Sequence, residues 1–218
     1  MSIADSLLEM KNGLPSTVML VAVSKFKTNE DIMEAYNVGQ RDFGENRPQE
    51  LMKKMLELPE EIRWHFIGHL QTNKIKMIIE KSHLIHSVDS ERLFDELQKE
   101  AAKRNLVKDI LLQIYIAKEE SKQGLSTEEL NTILEKRALS PNLRICGLMG
   151  MASYTDDMST VRKELASLKN IFDRLKSTIF VSESNFSVLS MGMSGDYDVA
   201  IEEGSNMIRL GSTIFGAR

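Results

Sequence analysis

Residues 17–32 read TVMLVAVSKFKTNEDI. From Val18 to Ser24 every side chain is apolar or small, and valine recurs. A short run of this kind, without alternation, predicts a strand covered on both faces, as the strands of parallel sheets are. It ends on Lys25, whose charge is costly in apolar surroundings unless something uses it. "TNED" (28–31) then has the form of a capping box that opens a helix.

The same strand-then-helix grammar recurs along the chain. Further strand candidates are "RDFG" (41–44), "WHFIG" (64–68), "HLIHSV" (83–88), "ILLQIYI" (110–116), "LRICGLM" (143–149), "FSVLSMG" (186–192) and "MIRLG" (207–211). With 18–24 they make eight. Amphipathic segments separate them. In 159–177, Val161, Leu165, Leu168, Phe172 and Leu175 recur at steps of three and four, one apolar helix stripe. "STEE" (126–129) is a second capping box. Eight βα units with near-continuous apolar strands predict an α/β fold, a single (β/α)8 TIM barrel spanning residues 1–218 as one domain. The competing arrangement is an open doubly wound sheet, but no G-x-G-x-x-G follows the first strand.

Composition narrows the function classes. The chain has 218 residues, a formal net charge of −4 and no basic tract, which argues against nucleic acid as a partner. No apolar run approaches the roughly 18 residues that span a bilayer, so no membrane partner is expected. The N-terminus "MSIADSLLEMKNGLPS" lacks the basic and long apolar regions of a signal peptide. A cytoplasmic location is expected, and the sole cysteine, Cys146, fits a reducing compartment and reads as a buried structural thiol.

In a barrel of this kind, working groups sit at the C-terminal ends of strands and in the loops that follow. Those positions hold Lys25, "GENRPQE" (44–50), "GHLQTNK" (68–74), "GLMGMAS" (147–153), "SMGMSGD" (190–196) and "RLGSTIFGAR" (209–218). The loops after strands seven and eight are the usual phosphate cradle of the fold. Here Gly192, Gly195 and Gly211 allow close backbone approach to an anion, while Ser194, Ser212 and Thr213 offer hydroxyls. A lysine on one rim and a phosphate cup on the other suggest a phosphorylated aldehyde held as a Schiff base. The bland alternative for Lys25 is a side chain that snorkels to water.

Other signals are weaker. "MGMSGD" is not a nucleophile elbow, since Asp196 stands where G-x-S-x-G needs glycine. His65 and His69, four apart, would face the same way on one strand. Without a carboxylate cluster they read as structural, and no metal site is expected. Met149, Met151, Met191 and Met193 fall on the presumed rim, while Lys53 and Lys54 read as surface lysines.

The motifs "VAVSK", "FGENRPQEL", "WHFIGHLQTNK", "HSVDS", "GLMGMA" and "LSMGMSGDYDVAIEEGSNMIRLGSTIFGAR" resemble the pyridoxal phosphate homeostasis protein family, itself similar in fold to the N-terminal barrel of alanine racemase. The resemblance runs from about Val21 to Arg218. It implies pyridoxal 5′-phosphate as cofactor, with Lys25 as the Schiff-base lysine and Asn46 beside the cofactor. It also implies Ser194, Gly211 and Ser212 on the phosphate and Arg209 against the pyridine nitrogen. The family typically has Thr where Ser212 stands, which leaves Ser212 and Thr213 as alternatives for the contact.

An arginine does not give up its proton, so a ring nitrogen facing Arg209 stays unprotonated and the ring is a poorer electron sink. Racemisation also needs a second base; alanine racemase takes a tyrosine from a further domain of its partner subunit. Here the sequence runs seven residues past the last strand candidate, so that domain is expected to be missing. Only Tyr154 and Tyr197 lie in or near rim loops. The expected role is a non-catalytic, monomeric carrier that holds and releases the cofactor, with cofactor-dependent apoenzymes as its recipients. A weak cofactor-dependent amino-acid racemase is the alternative, and a cofactor-free aldolase-like barrel is a third reading.

Overall fold

The computed structural model describes residues 2–117 and 123–216, so Ala217 and Arg218 of the closing motif lie outside the described residues. All eight strand candidates form strands: β1 Met19–Val23, β2 Asp42–Glu45, β3 Arg63–Phe66, β4 Leu84–Val88, β5 Lys108–Gln113, β6 Leu143–Met149, β7 Val188–Ser190 and β8 Met207–Leu210. They pair in parallel, in chain order, and β1 closes on β8. This is a closed (β/α)8 barrel. Three strands, β3, β5 and β7, end two or more residues earlier than their apolar runs suggest. Beyond β5, Ile114 bridges to Leu125, and after β7 the chain turns out at Gly192.

Helix α1 (Ile3–Gly13) precedes the barrel. The connecting helices are α2 (Asn29–Asn37), α3 (Pro48–Glu57), α4 (Ile75–Ile78), α5 (Glu91–Lys103), α6 (Thr127–Lys136), α7 (Met158–Thr178) and α8 (Tyr197–Glu202), and α9 (Ser212–Phe215) follows β8. The two capping boxes are made as the sequence predicts. Thr28 caps the backbone of Asp31 and Ser126 that of Glu129, with each acid bonding back. Along α7 the stripe of Val161, Leu165, Leu168, Phe172 and Leu175 is buried.

Strand alternation divides the core into two. One set of side chains, including Leu20, Ala22, Phe43, Trp64, Phe66, Ile85, Ile208 and Leu210, packs outward under the helices. The alternate positions point inward, and their apolar members (Val21, Leu84, Leu111, Cys146, Met149 and Met207) form a separate, smaller cluster. Barrels usually fill this space with branched aliphatics. In this one Asp42, His65, His86, Ser190 and Arg209 share it, all buried. Burial pushes the Cys146 thiol up to about 11, as a structural thiol requires. Among the described residues no helix is long and apolar enough to cross a membrane.

Candidate functional site

The C-terminal ends of the strands surround a cavity of about 740 Å³, and Lys25, Asn46, Ser194, Arg209, Gly211 and Ser212 all line it. Lys25 sits just beyond β1 in a turn, half-buried. Among the described residues its Nζ has no hydrogen-bond or ion-pair partner, whereas nearby Lys27 donates to the carbonyl of Phe215 at 2.8 Å.

The turn that carries Lys25 is tied down on both sides by a buried ionic cluster. Lys54 is 5% exposed. It is not a surface lysine, because α3 aims it inward to donate to Ser24 O (2.9 Å), Glu45 Oε1 (2.8 Å) and Glu50 Oε1 (2.8 Å). Ser24 Oγ donates to the same Glu45 oxygen at 2.6 Å. Glu50 Oε1 in turn accepts the backbone N–H of Phe26 at 2.7 Å. Phe26 has φ 65°, a left-handed conformation that costs an ordinary residue about 1–3 kcal/mol. The Glu50 bond and the Arg47 guanidinium 4.7 Å over its ring hold it there. Burial raises the Glu45 carboxyl above its ordinary value, with Lys54 and Ser24 opposing.

Across the cavity, the β7–α8 loop folds on itself: Met193 N–H donates to Asp196 Oδ1 (2.6 Å) and Asp196 N–H to Met193 O (3.1 Å). Gly192, at φ 98°, is where glycine is required, since a Cβ there would lie 2.7 Å from that of Ala200. Nothing comparable forces glycine at Gly211, where a Cβ would meet no protein atom closer than 3.4 Å. A side chain there would rest in ordinary contact on Val23. Ser212 opens α9 at the cavity edge, while Thr213 lines a different cavity beneath α1. On the β2 side a Cβ on Gly68 would fall 2.2 Å from Asn46 O, so the glycine lets β3's loop press against Asn46. The Asn46 Oδ1 atom is buried with no hydrogen-bond partner among the described residues. Arg209 completes the wall. Nη1 donates to Ser190 Oγ at 2.6 Å and Nη2 to Gly150 O at 3.1 Å. Burial lowers it to about 10, with Asp196 opposing, so it is cationic at neutral pH.

The alanine racemase N-terminal domain profile matches residues 2–218. A pyridoxal phosphate homeostasis protein of Aquifex aeolicus is 42% identical over 91% of this chain and 86% of its own. One from Synechocystis is 42% identical over 94% of both. The chain belongs to the pyridoxal phosphate homeostasis protein family. Among solved structures, PipY of Synechococcus elongatus with PLP bound shares 33% identity and a TM-score of 0.90, covering 99% of this chain and 100% of its own. Alanine racemase of Bartonella henselae (15% identity, TM-score 0.76, 60% of that chain covered) shares the fold.

Several residues in this family member stand differently from their sequence reading. β3 ends at Phe66, so His65 and His69 do not share a strand face. His65 is buried between Asp42 and His86, whereas half-exposed His69 lines the mouth with Nδ1 2.7 Å from Asp89 Oδ2. Asp89 lies in the "HSVDS" motif, the one sequence signal that could have found this pair. Tyr197 lines the cavity beneath α1 and not the mouth; Tyr154 does line the mouth but is 97% exposed. Met151 and Met193 line the mouth, while Met149 is buried in the inner cluster and Met191 in the outer core.

Proposed function

We propose that this chain binds pyridoxal 5′-phosphate in the barrel-mouth cavity, through a Schiff base to Lys25, and serves as a cytoplasmic, monomeric, single-domain carrier in cofactor homeostasis. The observation that carries it is the convergence on one cavity of a lysine and a buried amide oxygen that have no partners among the described residues, a buried arginine, and hydroxyl-bearing Gly/Ser loops. The cofactor supplies an aldehyde that condenses reversibly with amines, and a ring that stabilises carbanions best when its nitrogen is protonated.

The chain's residues divide this work. Lys25 would hold the cofactor through its amine, the group that condenses with an aldehyde. Ser194 and Ser212 donate hydroxyls to the phosphate, and Gly211 lines the cavity beside them. Asn46 Oδ1 accepts from a ligand hydroxyl. Arg209 donates to the ring nitrogen and keeps it unprotonated, which disfavours carbanion chemistry and supports a non-catalytic role with apoenzymes as recipients.

One observation favours the second reading, a weak racemase: His69, oriented by Asp89, is an acid–base group at the mouth. Borohydride reduction followed by peptide mapping tests the site, and the phosphopyridoxyl mass should fall on Lys25. Cα hydrogen–deuterium exchange of added alanine separates the roles. A carrier gives little exchange beyond the free cofactor, and steady racemisation at about 1 per second or faster would overturn it. Sedimentation should show a monomer, and unfolding a single transition.

A further inference from the structure

Five buried side chains from β2, β3, β4, β7 and β8 form one unbroken line through the barrel interior. Asp42, at the opposite end of the barrel from the mouth, is gripped by Arg63 Nε (2.7 Å) and Nη2 (2.5 Å), and its Oδ1 lies 3.1 Å from His65 Nε2. His65 Nδ1 is 2.9 Å from His86 Nε2, and His86 Nδ1 is 3.2 Å from Ser190 Oγ, the atom to which Arg209 donates at 2.6 Å. Both imidazoles are fully buried.

Only one proton arrangement satisfies every member. A carboxylate accepts and cannot donate, so His65 carries its proton on Nε2. With Asp42 already paired to Arg63, a second cation on buried His65 has no counter-charge of its own, and the ring is neutral. Its bare Nδ1 must then accept from His86 Nε2–H. That leaves His86 Nδ1 bare, and it accepts the Ser190 hydroxyl. Ser190 Oγ keeps its lone pairs for Arg209. The opposite polarity would aim both His86 and Arg209 at Ser190 and strand its hydroxyl hydrogen. The charged and titratable groups around the line agree with a neutral His86: it faces His65 and Arg209, with His83 near by, and burial followed by these neighbours holds it well below its ordinary value. Lys11 and Arg41 line the cavity on Asp42's face together with Arg63.

We propose that Asp42, His65, His86 and Ser190 form a directed hydrogen-bond relay, and that His86 is a positioning residue which, through Ser190, holds the Arg209 guanidinium toward the ring nitrogen of bound pyridoxal 5′-phosphate. The proposal rests on the reading of Arg209 as the ring-nitrogen partner. Nitrogen NMR of the histidines reads the relay directly, without cofactor. At neutral pH both His65 and His86 should carry their proton on Nε2, and His86 should stay neutral as the pH is lowered through the ordinary histidine range. A His86 protonated on Nδ1 would overturn it.

The functional arm compares His86→Leu, which removes both links, with His86→Gln, whose amide can donate to His65 and accept from Ser190. Titrated with pyridoxal 5′-phosphate, the Leu variant should bind about fivefold or more weakly, with a shifted visible band, and the Gln variant should lie closer to the parent. Ser190→Ala breaks the same link from the other end and should reproduce the loss if the Leu variant does not fold. Lower thermal stability with an unchanged band and affinity would make the line merely structural and overturn the proposal. Failure of the Arg209 reading shows separately, as an Arg209→Gln variant that binds the cofactor as tightly as the parent with the same band.

Discussion

Replacing Lys54 with methionine should destabilise the fold in a strongly pH-dependent way. The lysine makes three hydrogen bonds in a site where it and Glu45 are almost fully buried. Methionine fills much of the stem's volume but leaves the Glu45 carboxylate with Ser24 as its side-chain partner, and among the described residues Glu45 Oε2 has no partner even in the parent. Breaking a buried pair from one side costs about 3–5 kcal/mol. For a chain of this size that corresponds to a fall in melting temperature of roughly 6–20 °C. The sign with pH follows from Glu45. Burial already raises its carboxyl, and removal of Lys54 raises it further. A carboxyl raised in the folded state favours folding in its protonated form, so its contribution is present below the ordinary value of 4.5 and lost as pH rises through the folded value. The gap between Lys54→Met and the parent should therefore be smallest at about pH 4 and largest at about pH 8. Urea denaturation across that range measures it. Adding Glu45→Gln to Lys54→Met should recover much of the loss at neutral pH, since the uncompensated charge is what costs. A gap that is constant with pH, or below about 1 kcal/mol throughout, would refute the reasoning.

Asp42 titrates in the other direction. Burial alone would raise it, but His65 and Arg63 outweigh burial and hold it at about 2, so it contributes about 2 kcal/mol that is present above its ordinary 3.8 and lost as pH falls toward 2; acid denaturation of Asp42→Asn should lack that component. Ser194→Ala with Ser212→Ala should cost about 2–4 kcal/mol of pyridoxal 5′-phosphate affinity by titration, from two charge-assisted bonds discounted for the water that replaces them; equal affinity would mean that the anion sits elsewhere. Gly68→Ala drives a Cβ into the Asn46 backbone and should lower the melting temperature, by about 1–3 kcal/mol in stability. Native Cys146, with its thiol at about 11, should react with a thiol reagent far more slowly than the unfolded chain.

The barrel was legible because its signals are local. Each strand is an apolar run bounded by a turn, and each capping box lies within four residues. The mouth residues were legible because the fold puts working groups at strand ends, which turns a position in the chain into a position in space. What local reading missed is made of long-range contacts. Lys54 follows Lys53 on α3 and nothing in "PQELMKK" separates them; only the approach of Ser24, thirty residues away, buries one and not the other. The interior line draws one polar residue from each of five strands, with His86 and Ser190 separated by 104 positions. His69 was misread for a different reason. The alternation argument holds only while the strand lasts, and β3 stops three residues before it.

The two ends of the site are built to different standards of rigidity, and this bears on holding versus turning over a cofactor. Arg209 is buried and fixed by Ser190 and Gly150, so its charge is aimed before any ligand arrives. Preorganised donors of this kind give affinity without a further ordering cost. The lysine is different. Its backbone is clamped at Ser24 and Phe26, yet its amine has no partner among the described residues and stands half-exposed at the mouth. An amine with no neighbour to lose is free to form and release a bond to an aldehyde as incoming amines compete for it. A fixed wall opposite an unencumbered amine suits capture and hand-over. Turnover asks for more, a group that takes a proton from the substrate and a ring that stabilises the charge left behind. On the proposed reading, His69 is placed for the first, and Arg209 facing the ring nitrogen works against the second.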